Sequence, residues 1–515
     1  MEPRKTNGPR MITPEGHTRS EFLSALSADG KTLTENNCVT HVTSSSPLVD
    51  LFFKIAAMRG ASDYDIIATF EPAIQHDAES ALKILFWARD IRGGQGERKV
   101  FRTIVSHLAH NYADILRPSV RLFPVYGRWD DVLGLLSTPL EGEALAFIDD
   151  ALTGKLSSSE ASLCAKWMPR EKSAKPVLAK KIRSYMGMSS VAYRKLLSGL
   201  SSTVESDMCS NNWDGIEYSH IPSVAMNLYK KAFARHSPER WDSYLSDLKS
   251  GTAKVNASVL YPYQVIKPLM EHYSMDDDDS LDEGGKLIAE KQWEGLPNYL
   301  MNNPYRILPV IDTSGSMMDG CHTTGPAPID VSVSLGLYIA EKNNGPFKDH
   351  FLTFSGTPTL QRINGSDLYS KVQNLKRADW GMNTNIEATF DQILGSALSN
   401  DIAEEDMPNM ILILSDMEFD QAAGNSYTST AMESIRAKYS KAGYKLPNIV
   451  FWNLAARGSN FPVKFDELGT AMVSGFSPAI LVQILSSGVI SAEAIMNEVL
   501  TSERYGAIGK LDYTI

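Results

Sequence analysis

Two hydrophobic periodicities divide the chain near Tyr305. Before it, apolar residues recur at helical spacing in short runs closed by Gly, Pro and Ser. In SPLVDLFFKIAAMRG, Ser46 stands at an N-cap, Pro47 in the first turn and Gly60 as a stop. AESALKILFWARDIRGG repeats that logic, with Leu82, Leu85, Phe86 and Ile91 as the buried stripe and Gly93 and Gly94 ending it. RKVFRTIVSHLAHNY, SVRLFPVYGRWDDVLGLL, SAKPVLAKKIRSYMG, SVAYRKLLSGL and SVAMNLYKKAFARHSPERWDSYLSDLKSG continue the series. Short amphipathic helices in succession predict a helical-repeat, solenoid-like region, although no strict period is present.

After Tyr305 strand and helix patterns alternate. RILPVID, HFLTFS, NMILILSD and NIVFWNL read as strands; DVSVSLGLYIAEKN, NIEATFDQILGSALS and STAMESIRAKYSKAG read as helices. Near-continuous apolar strands between helices predict a mostly parallel sheet covered on both faces. TAMVSG reads as an edge or last strand, followed by short helices around AILVQILSSG and SAEAIMNEVLTSERYG. The expected organisation is a polar arm over 1–45, helical repeats over 46–299, an α/β domain over 300–490 and a C-terminal helix and tail over 491–515. The acidic run 274–285, SMDDDDSLDEGG, is expected to be a solvated loop, since it lacks the ordered spacing of a calcium loop.

Length and charge refine this picture. A chain of 515 residues exceeds one ordinary core, and 43% hydrophobic residues suffice for two or three domains. Cys38, Cys164, Cys209 and Cys321 lie far apart without a CxxC pair, which points to a reduced compartment. The start, MEPRKTNGPRMITPEG, has no apolar run behind its basic residues, and no stretch has the length of a membrane span. The expectation is a cytoplasmic protein. The net charge of −11 is unevenly spread: 155–254 carries 16 Lys and Arg against 9 Asp and Glu, whereas 301–515 carries 15 against 23.

The stretch DTSGSMMDG follows the first strand of the α/β region directly. An acidic residue and two hydroxyls at alternate positions suit a hard cation, which takes oxygen ligands. In an open α/β sheet ligands collect beyond the C-terminal strand ends. Asp312, Ser314 and Ser316 leave the first strand there, Asp416 leaves ILILS, and Thr384 lies in the loop WGMNTN before a helix. Two carboxylates would leave a divalent ion under-neutralised and open to an anionic oxygen from a partner. Asp319, Asp330, Glu418 and Asp420 crowd the same edge and read as caps of neighbouring helices.

This D-x-S-x-S with a distant Thr and a later strand-end Asp resembles the metal-ion-dependent adhesion site of von Willebrand factor type A domains. The resemblance implies that Asp312, Ser314, Ser316, Thr384 and Asp416 hold Mg2+, or Mn2+, directly or through water, and that a partner's acidic group completes the shell. In the first half, WARDIRGGQGERKVFR, YGRWDD, AKWMPRE and YRKLLS resemble the DUF2828 family, which, with SDMEFD and the A-domain segments, is similar over about 45–490. DUF2828 is related to the Ro ribonucleoprotein family, in which a TROVE domain of HEAT-like helical repeats is closed into a ring by an A domain. The implied fold is therefore multidomain, a TROVE-like helical region plus a Rossmann-like von Willebrand factor type A domain. The implied partners are structured or single-stranded RNA and a protein bearing an acidic group, on a monomeric ring unless it joins an assembly.

The residue chemistry offers a surface for RNA. Lys166, Arg170, Lys172, Lys175, Lys180, Lys181, Arg183, Arg194 and Lys195 are interleaved with Trp167, Tyr185 and Tyr193, and Lys230, Lys231, Arg235, His236 and Arg240 form a second cluster. Cations on one face bind phosphates and aromatic rings stack unpaired bases. The other reading is a solvated helix surface, with the protein a metal-dependent interaction or assembly module that has no RNA role. GGQGERK is not a phosphate loop: it lacks GxxxxGK[ST] and follows a helix. No His or Lys flanks DTSGS as a base, and His322 sits six positions beyond Ser316, so a non-enzymatic role is expected. In YGRWDD, Trp129 is expected to be buried with Asp130 or Asp131 capping a helix, while Arg89, Arg92 and Arg98 either pair with Asp90 and Glu97 inside the repeat array or face RNA.

Overall fold

A computed structural model describes residues 30–270, 282–301, 303–318, 326–354, 358–376, 384–420, 430–456 and 460–509. Residues 1–29, the acidic stretch 274–281, Asp319, His322 and the last six residues lie outside these.

The segment read as a polar arm contains a hairpin. Strand β1 (Lys31–Leu33) pairs antiparallel with β2 (Val39–His41), with Lys31 opposite His41. Strands of three residues are too short to show a period of two, which is why their pattern is silent. The hairpin is seated on the α/β region: His41 N donates to Phe461 O and Phe461 N to His41 O, both at 3.1 Å, and Thr40 Oγ1 donates to Phe461 O at 2.9 Å. Burial first, then Lys464 and Lys31, push the His41 imidazole down from 6.5 to about 4, with Glu433 acting in the opposite direction. Between these values the unfolded chain binds a proton that the folded chain refuses, so stability is expected to fall as pH drops from 6.5 towards 4. The unfolding midpoint followed over that window should fall less steeply in His41→Gln, and equal slopes would refute the assignment.

Helix Pro47–Ile55 starts as expected, with Ser46 Oγ accepting from Val49 N and Pro47 in the first turn, but it ends at Ile55, ahead of Gly60. Helix Ala78–Arg89 is buried along more than a stripe: Ala81, Leu82, Ile84, Leu85, Phe86, Trp87, Ala88 and Arg89 are all inside, the signature of a core helix. It stops at Arg89, before Gly93 and Gly94, and Ile91 is only half-buried. Gly94 serves close approach, since a Cβ there would lie 1.9 Å from Trp87 O. Trp87 stacks on Phe52 at 4.4 Å.

SVRLFPVYGRWDDVLGLL does not form one helix. It breaks into Arg117–Leu122, Phe123–Tyr126, Trp129–Val132 and Leu133–Leu135. Pro118 and Pro124 remove donors. At Gly127, a Cβ would meet Asp131 Oδ2 at 2.4 Å. The remaining runs form helices Lys99–Asn111, Pro176–Tyr185, Ser190–Leu200, Ser223–His236 and Pro238–Ser250. Asp63–His76 is an additional helix with Pro72 inside it.

The α/β region holds a six-stranded sheet of β3 (Ile307–Ile311), β4 (His350–Thr353), β5 (Leu360–Arg362), β6 (Met410–Ser415), β7 (Asn448–Asn453) and β8 (Thr470–Ser474), in the order β5-β4-β3-β6-β7-β8. All neighbours are parallel except β4 and β5, so this is the Rossmann-like sheet with one antiparallel edge strand. TAMVSG is the strand at the opposite edge from β5. Pro309 in central β3 is tolerated partly because the β4 ladder begins only at Val310, past the missing N–H. Helices Pro328–Lys342, Ile386–Ser399 and Ala431–Ala442 cover the sheet.

Both ends of the helical region meet the α/β region. Helix Pro47–Ile55 contacts β8, where Ser474 Oγ donates to Phe52 O at 2.8 Å, and helix Pro262–Met270 packs on Pro328–Lys342. Helix Ala492–Leu500 lies against β8 and both Pro47–Ile55 and Ala78–Arg89, and just beyond it Arg504 pairs with Asp90. One apolar core therefore runs through both regions, with a satellite core around Tyr218, Phe233, Trp241 and Tyr244. Among the described residues no helix is long and apolar enough to cross a membrane.

Candidate metal centre

Strands β3 and β6 are the neighbours at which the sheet order reverses, the crevice where open α/β sheets place ligands. Asp312 follows β3 by one residue and Asp416 follows β6 by one residue, so the two carboxylates leave adjacent parallel strands at the same end. Asp312 N donates to Leu414 O at 3.0 Å, which fixes this register. Its Oδ1 accepts from Ser314 N at 2.9 Å and its Oδ2 from Ser415 Oγ at 2.5 Å. Ser314 and Ser316 place their hydroxyls 3.0 Å apart. Asp312, Ser314, Thr384 and Asp416 are each no more than 3% exposed, while Ser316 is half-buried at the rim.

Burial, then the charge of Asp416, push the Asp312 carboxyl from 3.8 up to about 7. A buried carboxyl raised in this way by a neighbouring carboxylate is relieved by a cation between the two. Thr384 Oγ1 is buried and has no hydrogen-bond partner among the described residues, although its backbone is fully engaged. A buried hydroxyl left unsatisfied costs about 1–3 kcal/mol, and an ion or its water would satisfy it. No group of three or more His, Cys, Asp or Glu with metal-site geometry occurs among the described residues, so hydroxyls would have to complete any shell here. All-oxygen donors of low charge fit Mg2+ or Mn2+ and do not suit softer metals.

The neighbouring acids play different parts. Asp330 caps its helix as expected, accepting from Ala327 N at 3.1 Å, and also faces Lys267. Glu418 and Asp420 are not helix caps. Glu418 is buried, with Oε2 accepting from Glu35 N at 2.7 Å and Oε1 from Asn460 Nδ2 at 2.6 Å. Asp420 Oδ2 accepts from Thr384 N at 2.7 Å, and Asp420 N donates to Thr384 O at 2.9 Å. The hairpin tip joins this edge through Thr34, Glu35 and Asn36, whose partners lie more than 380 residues away in sequence.

The basic stretch is partly consumed by internal pairs. Lys166 faces Glu205 at 3.3 Å, Lys181 holds Leu136 O and Glu141, Arg183 holds Glu171 and Met188 O, and Arg170 reaches Ala165 O. Tyr193 is buried, and Trp167 lies 4.0 Å under the Arg128 guanidinium, which leaves Tyr185 as the exposed ring. Lys172, Lys175, Lys180, Arg194 and Lys195 are exposed and make no side-chain hydrogen bond or ion pair among the described residues. Lys231 and Arg235 are exposed on helix Ser223–His236, where burial lowers the half-buried Lys230. Arg240 turns inward to Trp213 O and Ile216 O.

The expected Arg89, Arg92 and Arg98 pairing with Asp90 and Glu97 is not observed. Arg89 pairs with Asp131, Asp90 with Arg504, Glu97 with Arg59, and Arg92 donates to Val125 O. Trp129 is buried and Asp131 accepts from Arg128 N at 3.0 Å, as the YGRWDD reading requires.

The chain is similar to known proteins over most of its length. The crystal structure of the Deinococcus radiodurans RO (RSR) protein aligns at 12% identity over 89% of this chain and 99% of that chain, with a TM-score of 0.38, too loose a likeness to carry an inference. A domain of unknown function, DUF7788, matches residues 306–508, the α/β region. Uncharacterized protein L728 of Acanthamoeba polyphaga mimivirus is 31% identical over 515 residues, covering 91% of this chain and 86% of the relative. A domain of unknown function, DUF2828, matches residues 34–145 and 146–303, beginning at the hairpin and ending just before the sheet, and with these matches the chain belongs to the DUF2828 family.

Proposed function

We propose that this protein is a non-catalytic adhesion module that binds an acidic group of a partner protein through one Mg2+ or Mn2+. The observation that supports this most directly is the pair of buried carboxylates, Asp312 and Asp416, at the switch point, together with a buried Thr384 hydroxyl that has no hydrogen-bond partner among the described residues. An ion there receives two carboxylates, from Asp312 and Asp416, and otherwise hydroxyls, which leaves its shell open to a carboxylate from outside. The A-domain resemblance of DTSGS and the strand-end Asp416 supports the same reading.

A second activity, binding of structured or single-stranded RNA in the manner of Ro proteins, is supported by the five exposed cations Lys172, Lys175, Lys180, Arg194 and Lys195 near Tyr185. Five phosphate contacts would weaken with salt, by about a hundredfold to five-hundredfold between about 50 and 200 mM. One experiment separates the two activities. The full chain is recovered from its native host without nuclease, beside Asp312→Ala and Lys180→Glu/Lys195→Glu. A protein partner that EDTA releases and Asp312→Ala loses is the expected result for adhesion. RNA that salt releases and only the double variant loses is the expected result for the second activity. A partner that stays bound in EDTA would overturn the adhesion reading, and RNA content no higher than background would leave an assembly module with no RNA role.

A further inference from the structure

The oxygen cluster does not stand alone at its strand ends. Thr384 is gripped from both sides by Asp420, whose carboxylate accepts from its N–H and whose N–H donates to its carbonyl. The turn from Asp416 to Asp420 is also held internally: Glu418 N donates to Asp416 Oδ1 at 3.2 Å and Met417 N to Ser415 Oγ at 3.0 Å. Met417 has φ +68°, a conformation that an unbranched side chain adopts only when its surroundings impose it. Those surroundings are the hairpin tip. Thr34 Oγ1 donates to Phe419 O at 2.6 Å, Asn36 Nδ2 to Glu418 O at 2.8 Å, and Glu35 N to the buried Glu418 carboxylate, while Asn37 and Asp420 form an antiparallel bridge.

We propose that Asp420 is a positioning residue for the divalent-cation site, setting Thr384 relative to Asp416, and that the hairpin tip 34–37 clamps the 418–420 segment so that seating of the tip governs ion affinity. The proposal rests on the adhesion-site reading above. Its physical content is that two of the five oxygen-bearing residues, Thr384 and Asp416, are tied through one short turn to a segment nearly four hundred residues away. A hydroxyl contributes to a cation only when its distance is right, so loosening Thr384 removes a ligand without touching a carboxylate. Asp420 and the tip are thereby separate from the donors themselves.

The test uses Mn2+ alone as the probe, with free ion followed by electron paramagnetic resonance on the full chain. Asp420→Ala is expected to weaken Mn2+ binding about 10–100-fold, the usual effect of losing an outer partner of a ligand. Asp420→Asn should recover part of that loss, because its amide oxygen still accepts from Thr384 N. Asn36→Ala, at an exposed position, should weaken binding in the same direction by a smaller factor. Melting temperatures in EDTA accompany each measurement, so that a folding defect is separated from lost affinity. If the wild type binds Mn2+, Asp312→Asn does not, and both Asp420→Ala and Asn36→Ala bind it as well as the wild type, the positioning role is wrong while the adhesion site stands. If the wild type binds none, the site reading itself fails and the positioning role with it.

Discussion

Mg2+ added to the metal-free protein is expected to raise its stability in a saturable way, and Asp312→Asn to abolish the response. An ion that binds the folded chain and not the unfolded one stabilises by linkage, about 2.7 kcal/mol at a hundredfold excess over the dissociation constant. Asp312 is the residue of choice because it lies fully buried at the end of β3, beside the charge of Asp416. In the metal-free state its charge brings little benefit, since burial and Asp416 both oppose ionisation. Replacement by Asn keeps an oxygen for Ser314 N or Ser415 Oγ, so in EDTA the variant should lie within about 1.5 kcal/mol of the wild type, the scale of a single hydrogen bond. Thermal unfolding followed against Mg2+ and Mn2+ concentration, for both proteins, makes the comparison. An equal shift in both proteins would place the ion elsewhere, and no shift in the wild type would mean that the cluster holds no ion.

The parts of this centre that can be read along the chain are those written in contiguous residues. DTSGS declares its alternation within five positions, and the apolar runs of β3 and β6 point to where Asp312 and Asp416 emerge. The Asp420 grip on Thr384 spans 36 residues, and the hairpin contacts with Glu418 and Phe419 span more than 380. No periodicity encodes such partnerships. Composition is silent for the same reason over 166–195 about which cations are engaged internally, since the acids that meet Lys166 and Lys181 come from other helices, at Glu205 and Glu141. Proximity in sequence misled at Arg89 and Asp90: adjacent residues on a helix point in different directions, so they do not pair. Asp90 instead stands at the helix end and meets Arg504.

That misreading conceals a buried ion pair of the helical region, Arg89 with Asp131. Asp131 Oδ2 accepts from Arg89 Nε at 2.9 Å, Arg89 Nη2 at 2.6 Å and Arg128 N at 3.0 Å, and its Oδ1 accepts from Arg102 Nε at 2.7 Å. The Arg89 side chain is 2% exposed and that of Asp131 is 0% exposed, so water does not replace the contact between these two when one of them is lost. Asp131→Ala is therefore expected to destabilise by about 3–5 kcal/mol, most of it the cost of a buried guanidinium left without a counter-charge. Glu294→Ala, which removes the exposed partner of Lys291 at 2.8 Å, is the comparison and should cost under about 1 kcal/mol. Exchanging Arg89 for Met in the Asp131→Ala background should restore part of the loss, because the unpaired charge then disappears along with its partner. Denaturant midpoints for the four proteins decide the matter. If Asp131→Ala falls no further than Glu294→Ala, or if Arg89→Met adds to the damage, the pair acts through packing and the charge account of this junction is wrong.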